Sequence, residues 1–407
     1  MKNKLLLLIS GLAFLAVSCS GSHNFFVSPS GNDTNSGSRN DPFATIKKAR
    51  LAVRKTLKQN QDSDINVWLS GGIYPIESPL VFSPEDSGKG TCKVIYSALQ
   101  GEIPIISGGL ELKEWGKKAD GLWTAKLPNL NGQTAPRELF IDGIRAVRAR
   151  TPNDGFLHVK KAGEDKRTNF YFTEGDFPLP EDPGTVELVF LHDWSISRIS
   201  LDNIKIPENK LTAVDFIGPK SLSFFNIDNW EPNPRYYLEN SLSFLDIDYE
   251  WYCSESENLI YLKLPETANP EKSSICIPYS SGLLTLQGNI EQPVSNIFFQ
   301  GITFSHSSWE IPKKGYAGIQ ACFFDPRPED LEWAIVPAAV KTAWAENCCF
   351  ENCTFSHLGG SGLLFGTGSK WCTVSNSSFS DISGNGIMIG EGRDRKVNGE
   401  AWWQSSP

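Results

Sequence analysis

His357 and Asp381 stand 24 residues apart, at the same place in two stretches that read almost as copies: NCTFSHLGGSGLLFG from Asn352 and NSSFSDISGNGIMIG from Asn376. If the copies stack, an imidazole lies beside a carboxylate, a pair able to hold or move a proton near neutral pH. Two more acids follow closely. Glu391 and Asp394, in GEGRDRK, come just after the second glycine-rich stretch, where a loop would overhang the same face. Carboxylates facing each other across a groove can supply the acid and the base or nucleophile of glycoside hydrolysis. Asp381, Glu391 and Asp394 are therefore the candidate catalytic residues. The competing reading makes them a solvated ladder at a corner and a charged surface loop.

Groups that could hold a substrate lie elsewhere in the chain. Arg145, Arg148 and Arg150, in DGIRAVRARTPN, read as alternating along one strand, so that they face one side together. They would meet an acidic polysaccharide or a groove, or else pair with nearby Asp and Glu. Trp194, Trp309, Trp402 and Trp403 are candidate sugar platforms, with core packing as the alternative for each. His357 is counted with the binding residues. The Asn32-Asp33-Asn35 loop reads as a turn rather than a cation site. No C-x-x-C pair suggests zinc, and no metal or cofactor is expected.

What positions these residues is the repeat itself. Asn352 matches Asn376, Phe355 matches Phe379, and Gly360, Gly362 and Gly366 match Gly384, Gly386 and Gly390, each at an offset of 24. A parallel solenoid of three short strands per turn uses roughly 20–30 residues per coil and stacks its coils about 4.8 Å apart. Phe355 should then lie over Phe379, Leu363 over Ile387 and Phe365 over Ile389, all inside. The asparagines suit a turn in left-handed geometry, and the paired glycines read as corners needing positive φ. Cys348 and Cys372 share the offset and read as apolar filler in a core ladder. An earlier echo, Thr303-Phe304-Ser305-His306 against Thr354-Phe355-Ser356-His357, is 51 residues away, so about 27 residues leave the coil as a long loop.

The expected fold is all-β: a right-handed parallel β-helix with an inserted antiparallel β-domain, sandwich-like, and an N-terminal capping helix. Asp41 is expected to cap that helix, with Pro42 at its first position and Phe43, Ile46, Val53 and Leu57 on its apolar face. Residues 20–109 form the cap and first coils. Residues 110–278, rich in aromatic alternating strands, form the insertion, and 279–407 return to the coil.

The 407 residues carry a net charge of −9, which argues against a nucleic-acid partner. The opening MKNKLLLLISGLAFLAVSC reads as a bacterial lipoprotein signal over residues 1–19, with Cys19 bearing the lipid. The apolar run is too short to trust as a span, so the mature chain would be anchored in the cell envelope, periplasmic or at the outer membrane, and monomeric. Its partner would be a polysaccharide or oligosaccharide.

Several segments resemble bacterial β-helix glycoside hydrolases, closest to glycoside hydrolase family 141. They are FVSPSGNDTNSGSRNDPFATIKKAR, GEIPIISGGLELKEW, RELFIDGIRAVRARTPN, RYYLENSLSFLDIDYEWYC and the NCTFSHLGGSGLLFG coils. The resemblance implies a pectin-lyase-like right-handed β-helix with an inserted β-domain, in a group whose enzymes act on fucosides and xylan. Members of that family continue through several more coils, whereas this chain stops at GEAWWQSSP. A truncated form, inactive through loss of part of the groove, is one expectation. The others are a polysaccharide lyase on the same fold and a non-catalytic glycan-binding β-helix.

Overall fold

The computed structural model describes residues 23–59, 63–132, 134–220, 222–229, 231–327, 333–390, 396–397 and 400–401. The signal segment with Cys19, Glu391, Asp394, Trp402 and Trp403 lie outside these residues. Strands dominate, with one α-helix among the described residues.

The chain visits three parallel sheets in a fixed rotation. The first face holds His23–Val27, Ile65–Leu69, Val94–Ala98, Ile297–Gln300, Cys349–Glu351 and Thr373–Ser375. The second holds Gly72–Pro75, Pro104–Ser107, Thr303–Ser307, Thr354–Leu358 and Ser378–Ile382. The third holds Leu80–Phe82, Leu284–Gln287, Ala338–Ala343, Ser361–Phe365 and Ile387–Ile389. Register is set by what points inward. Phe304, Phe355 and Phe379 follow one another along the second face, and the last two rings stack at 4.5 Å with an interplanar angle of 1°. Tyr96, Phe299 and Phe350 form the matching column on the first face, at 5.6 and 5.3 Å. Leu363 and Phe365 pair in register with Ile387 and Ile389. Among the described residues no further coil covers those two, and Ile389 is 83% exposed.

Two sequence expectations need correcting here. The helix α1 runs Ile46–Leu57 with Thr45, not Asp41, as its cap: the Thr45 hydroxyl accepts from the Lys48 amide. The chain is held extended just before it, because Phe43 bridges to Val27 and Asp33 accepts from the Ala44 and Thr45 amides. Ile46, Ala49, Val53 and Leu57 pack into the coil's core. The paired glycines also serve a different purpose. Of the six, only Gly390 has positive φ. A Cβ on Gly360 would come within 2.4 Å of the Pro337 carbonyl, and one on Gly362 within 2.5 Å of the Gly386 carbonyl, so these glycines let neighbouring turns approach. Asn352 and Asn376 do adopt left-handed geometry, with φ of 52° and 48°. Cys348 is buried and Cys372 half-buried, both as free thiols.

Two excursions leave the coil at one corner, between the second and third faces. The first departs after Ser107 and returns at Leu284, and the second departs after Ser307 and returns at Ala338. The first excursion builds three sheets. Strands Glu250–Ser254 and Leu259–Leu262 belong to the middle one, and their alternation serves both sides. Trp251, Cys253, Ile260 and Leu262 join a core shared with Ile141, Ile275 and Ile277, whereas Tyr252 and Tyr261 join the core of the eleven-stranded sheet. The insertion therefore has two cores around its middle sheet, one more than a sandwich. The second excursion is no free loop. Its strand Tyr316–Gln320 pairs with Ile196–Lys205, extending the sheet of the first.

Candidate active site

The corner where both excursions depart is where the coil places its polar side chains. His306, His357 and Asp381 are each the last but one residue of a second-face strand on three successive turns, with φ of 60°, 57° and 50°. Left-handed geometry at non-glycine residues costs of order 1 kcal/mol each and recurs at functional sites. At this corner it turns three polar side chains outward toward the insertion.

The contact between the repeated residues is direct. His357 Nδ1 lies 2.8 Å from Asp381 Oδ2. Arg145, on the insertion, donates from Nε to Asp381 Oδ1 at 2.7 Å. The same guanidinium packs 4.8 Å from the Phe140 ring, which also touches the rings of His306 and His357 at 5.0 and 4.9 Å. His306 stacks on His357 at 5.3 Å and bonds Ser107 Oγ through Nδ1. Burial, with the neighbouring His357 and Arg145, lowers the His306 pKa to about 4, so the ring is neutral.

A second carboxylate hangs on the same arginine. Glu138 Oε1 lies 3.6 Å from Arg145 Nη1. Burial pushes the Glu138 carboxyl above the usual glutamate range, against the pull of Arg145, Arg137, Arg198 and Arg148. Asp381 goes the other way. Its partial burial acts upward but is outweighed by the hydrogen bonds from His357 and Arg145, leaving the group below the aspartate range. Opposed shifts in two neighbouring carboxylates separate an acid from an ionised partner.

Behind Glu138 stands a cluster of three arginines on two glutamates. Arg137 binds Glu187 in a fork, both contacts at 2.6 Å. Arg198 reaches Glu187 at 3.0 Å and Glu239 at 2.7 Å, and Arg148 reaches Glu239 at 2.9 Å. The arginines hold Glu187 ionised despite a burial that alone would raise its pKa. Cavities of about 800 and 690 Å³ flank this cluster, and Arg137, Arg148 and Arg198 line both. The larger one is lined by Glu138, Arg145, Tyr237, Trp194 and Trp309.

The stretch that supplies Arg145, Arg198, Glu187 and Glu239 is also recognisable by family. Residues 120–265 match the GH141 insertion domain. That stretch is similar to the insertion of the family 141 glycoside hydrolases. A solved structure described as a glycoside hydrolase shares its fold at a TM-score of 0.80 and 26% identity, covering 90% of this chain and 67% of that one. Much weaker likenesses are the complex of XylC with xylose (TM-score 0.41, 14% identity, 88% and 54% covered) and the GH136 lacto-N-biosidase from Eubacterium ramulus (TM-score 0.24, 9% identity, 91% and 54% covered). A comparison with curated proteins finds no match.

The residues singled out by sequence separate into groups. His357 and Asp381 are together at the corner, while Glu391, Asp394 and Trp402 lie outside the described residues. Arg145, Arg148 and Arg150 do not share one strand. They sit on three short strands, Ile144–Arg145, Val147–Arg148 and Arg150–Thr151, in three different sheets. The spacing of three between Arg145 and Arg148 breaks strict alternation, yet all three line the larger cavity. Trp194 is half-exposed there, its indole N–H bonded to the Ile319 carbonyl. Trp309 packs edge-on against Tyr316 and Phe324. Sequence reasoning passed over Glu138, Glu187, Glu239 and Arg198. His306 had a signal, the TFSH echo.

Proposed function

We propose that the protein is a glycoside hydrolase acting on complex polysaccharide at the corner between the coil and the insertion, with Glu138 as proton donor and Asp381 as its ionised partner. One observation carries the reading: a single guanidinium holds both carboxylates while their surroundings drive their pKa values apart. One guanidinium bridging the two groups fits a pair of carboxylates that flank one glycosidic bond. In the reaction the bond between the anomeric carbon and the leaving oxygen breaks, and the oxygen takes the Glu138 proton. Asp381 either accepts a proton from the attacking water or attacks the carbon itself. Trp194 and Trp309 offer ring faces to the sugars.

The frame for this chemistry is read as a right-handed parallel β-helix capped by α1, divided at residues 109 and 278. The rotation through three parallel faces and the burial of one side of α1 support it. Export on the first 19 residues, with Cys19 lipidated, would place a monomeric enzyme on the cell envelope. Glu391, Asp394 and Trp402 follow directly on the last described coil and stay candidates for the same groove. The chain spans 67% of the glycoside hydrolase it matches, and the activity is proposed for the chain as it stands.

The test is release of reducing ends from a panel of plant and bacterial polysaccharides by the full chain, Glu138→Gln and Asp381→Asn. Loss of release in both variants with glycan binding kept supports the assignment, and wild-type rates in both overturn it. Products absorbing in the ultraviolet through a new double bond would establish the lyase alternative. Binding without release by the unsubstituted chain would establish the glycan-binding one.

A further inference from the structure

The larger cavity carries a charge feature that acid catalysis does not use. Arg150 lines it without a carboxylate partner among the described residues: its Nε and Nη2 donate to the Pro152 and Gly155 carbonyls. Its guanidinium lies over Tyr237, 3.9 Å from the ring centroid. Arg198 Nη2 donates to the hydroxyl of the same tyrosine at 3.4 Å. Arg198 belongs to the cluster in which three guanidiniums share two carboxylates, so that cluster keeps one positive charge in excess. Three acids line this cavity: Glu239 is inside the cluster, Glu138 pairs with Arg145 at 3.6 Å, and Asp193 is exposed near Arg235, which binds Glu231 at 2.6 Å. A chain with a net charge of −9 thus turns a local positive pole toward a sugar-sized cavity.

We propose that Arg150 and Arg198, flanking Tyr237, form a subsite for a negatively charged sugar, a uronate whose carboxylate takes the exposed guanidinium edge. A planar carboxylate matches the fork geometry of arginine, and a sugar seated beside Tyr237 presents its substituent to both cations. The substrate class is then an acidic polysaccharide, with the uronate bound one or more sugars from the scissile bond. This rests on the hydrolase reading for its place in a reaction, and not for its binding.

The experiment compares two probes by calorimetry: a uronate-containing oligosaccharide and the same oligosaccharide with its carboxyls reduced to alcohols. The unsubstituted chain should bind the acidic probe at least tenfold more tightly, with the preference shrinking as salt rises. Arg150→Gln should remove most of that preference and leave affinity for the reduced probe within about twofold. Equal affinity for the two probes overturns the proposal without any substitution, as does failure to bind either one. Preference for a sulfated neutral glycan over the uronate probe overturns it too. Glu138→Gln should keep the preference. Preference without hydrolysis leaves the subsite standing and removes the reaction, and hydrolysis without preference does the reverse.

Discussion

At the scale of single residues the site turns on one arginine serving two acids. In the proposed reaction Asp381 is ionised, and it is held below its ordinary range, so the acid limb of kcat/KM should lie below the usual aspartate titration. Glu138 must be protonated and is raised by burial, so the alkaline limb should lie above the usual glutamate titration. Glu138→Gln should lower kcat by about 10²–10⁴-fold and abolish the alkaline limb, read from pH–rate profiles of both proteins. Arg145→Lys keeps a charge but cannot hold both carboxylates in one plane. Its alkaline limb should move further up, because the nearest cation opposing Glu138 protonation is loosened. The His357–Asp381 contact could be read from sequence because 24-residue spacing states which side chains are neighbours. Glu138 could not. Its segment has no repeat, and its place beside Asp381 depends on an excursion that closes only when Ile275–Pro278 pairs back onto Phe140–Ile141 and Gly109–Glu111.

The elements repeat the same lesson with different physics. Phe355 is fully buried between Phe304 and Phe379, so Phe355→Ala should cost about 3–5 kcal/mol, measured by denaturant unfolding. Gly360→Ala should destabilise as well, because the new Cβ meets a backbone carbonyl that cannot rotate away. Residue type and spacing identified these glycines as special but not why, since turn conformation and coil-to-coil approach leave the same residue in a sequence. The helix start was misplaced for a related reason. Asp41-Pro42 has the local form of a cap, but Phe43 is drawn into the core beside Val27, and that tertiary contact delays the helix to Thr45.

Across the whole molecule, stability should depend on acid through imidazoles as well as carboxylates. Burial lowers the His192 pKa from 6.5 to about 4, so the unfolded chain binds the proton first as pH falls. The contribution is complete above pH 6.5 and is lost progressively toward pH 4, amounting to about 3 kcal/mol. Melting temperatures at pH 7 and pH 4.5 should therefore differ less in His192→Gln than in the unsubstituted chain. Glu187→Gln strips one buried carboxylate from three half-buried arginines and should cost about 3–5 kcal/mol in the same measurement. The coil was readable from two clean copies. The layering of the insertion was not, because its strands find partners far apart in sequence and its middle sheet faces two cores.

The excursion that leaves after Ser307 has a bearing on any attempt to exchange parts between relatives. Tyr316–Gln320 completes the sheet begun by Ile196–Lys205, and Trp309 and Tyr316 wall the larger cavity. A graft of residues 120–265 alone would carry the arginines across and leave this wall behind, with a bare strand edge where the host's own loop must fit. Transplanted specificity should travel only when both segments move as one cassette.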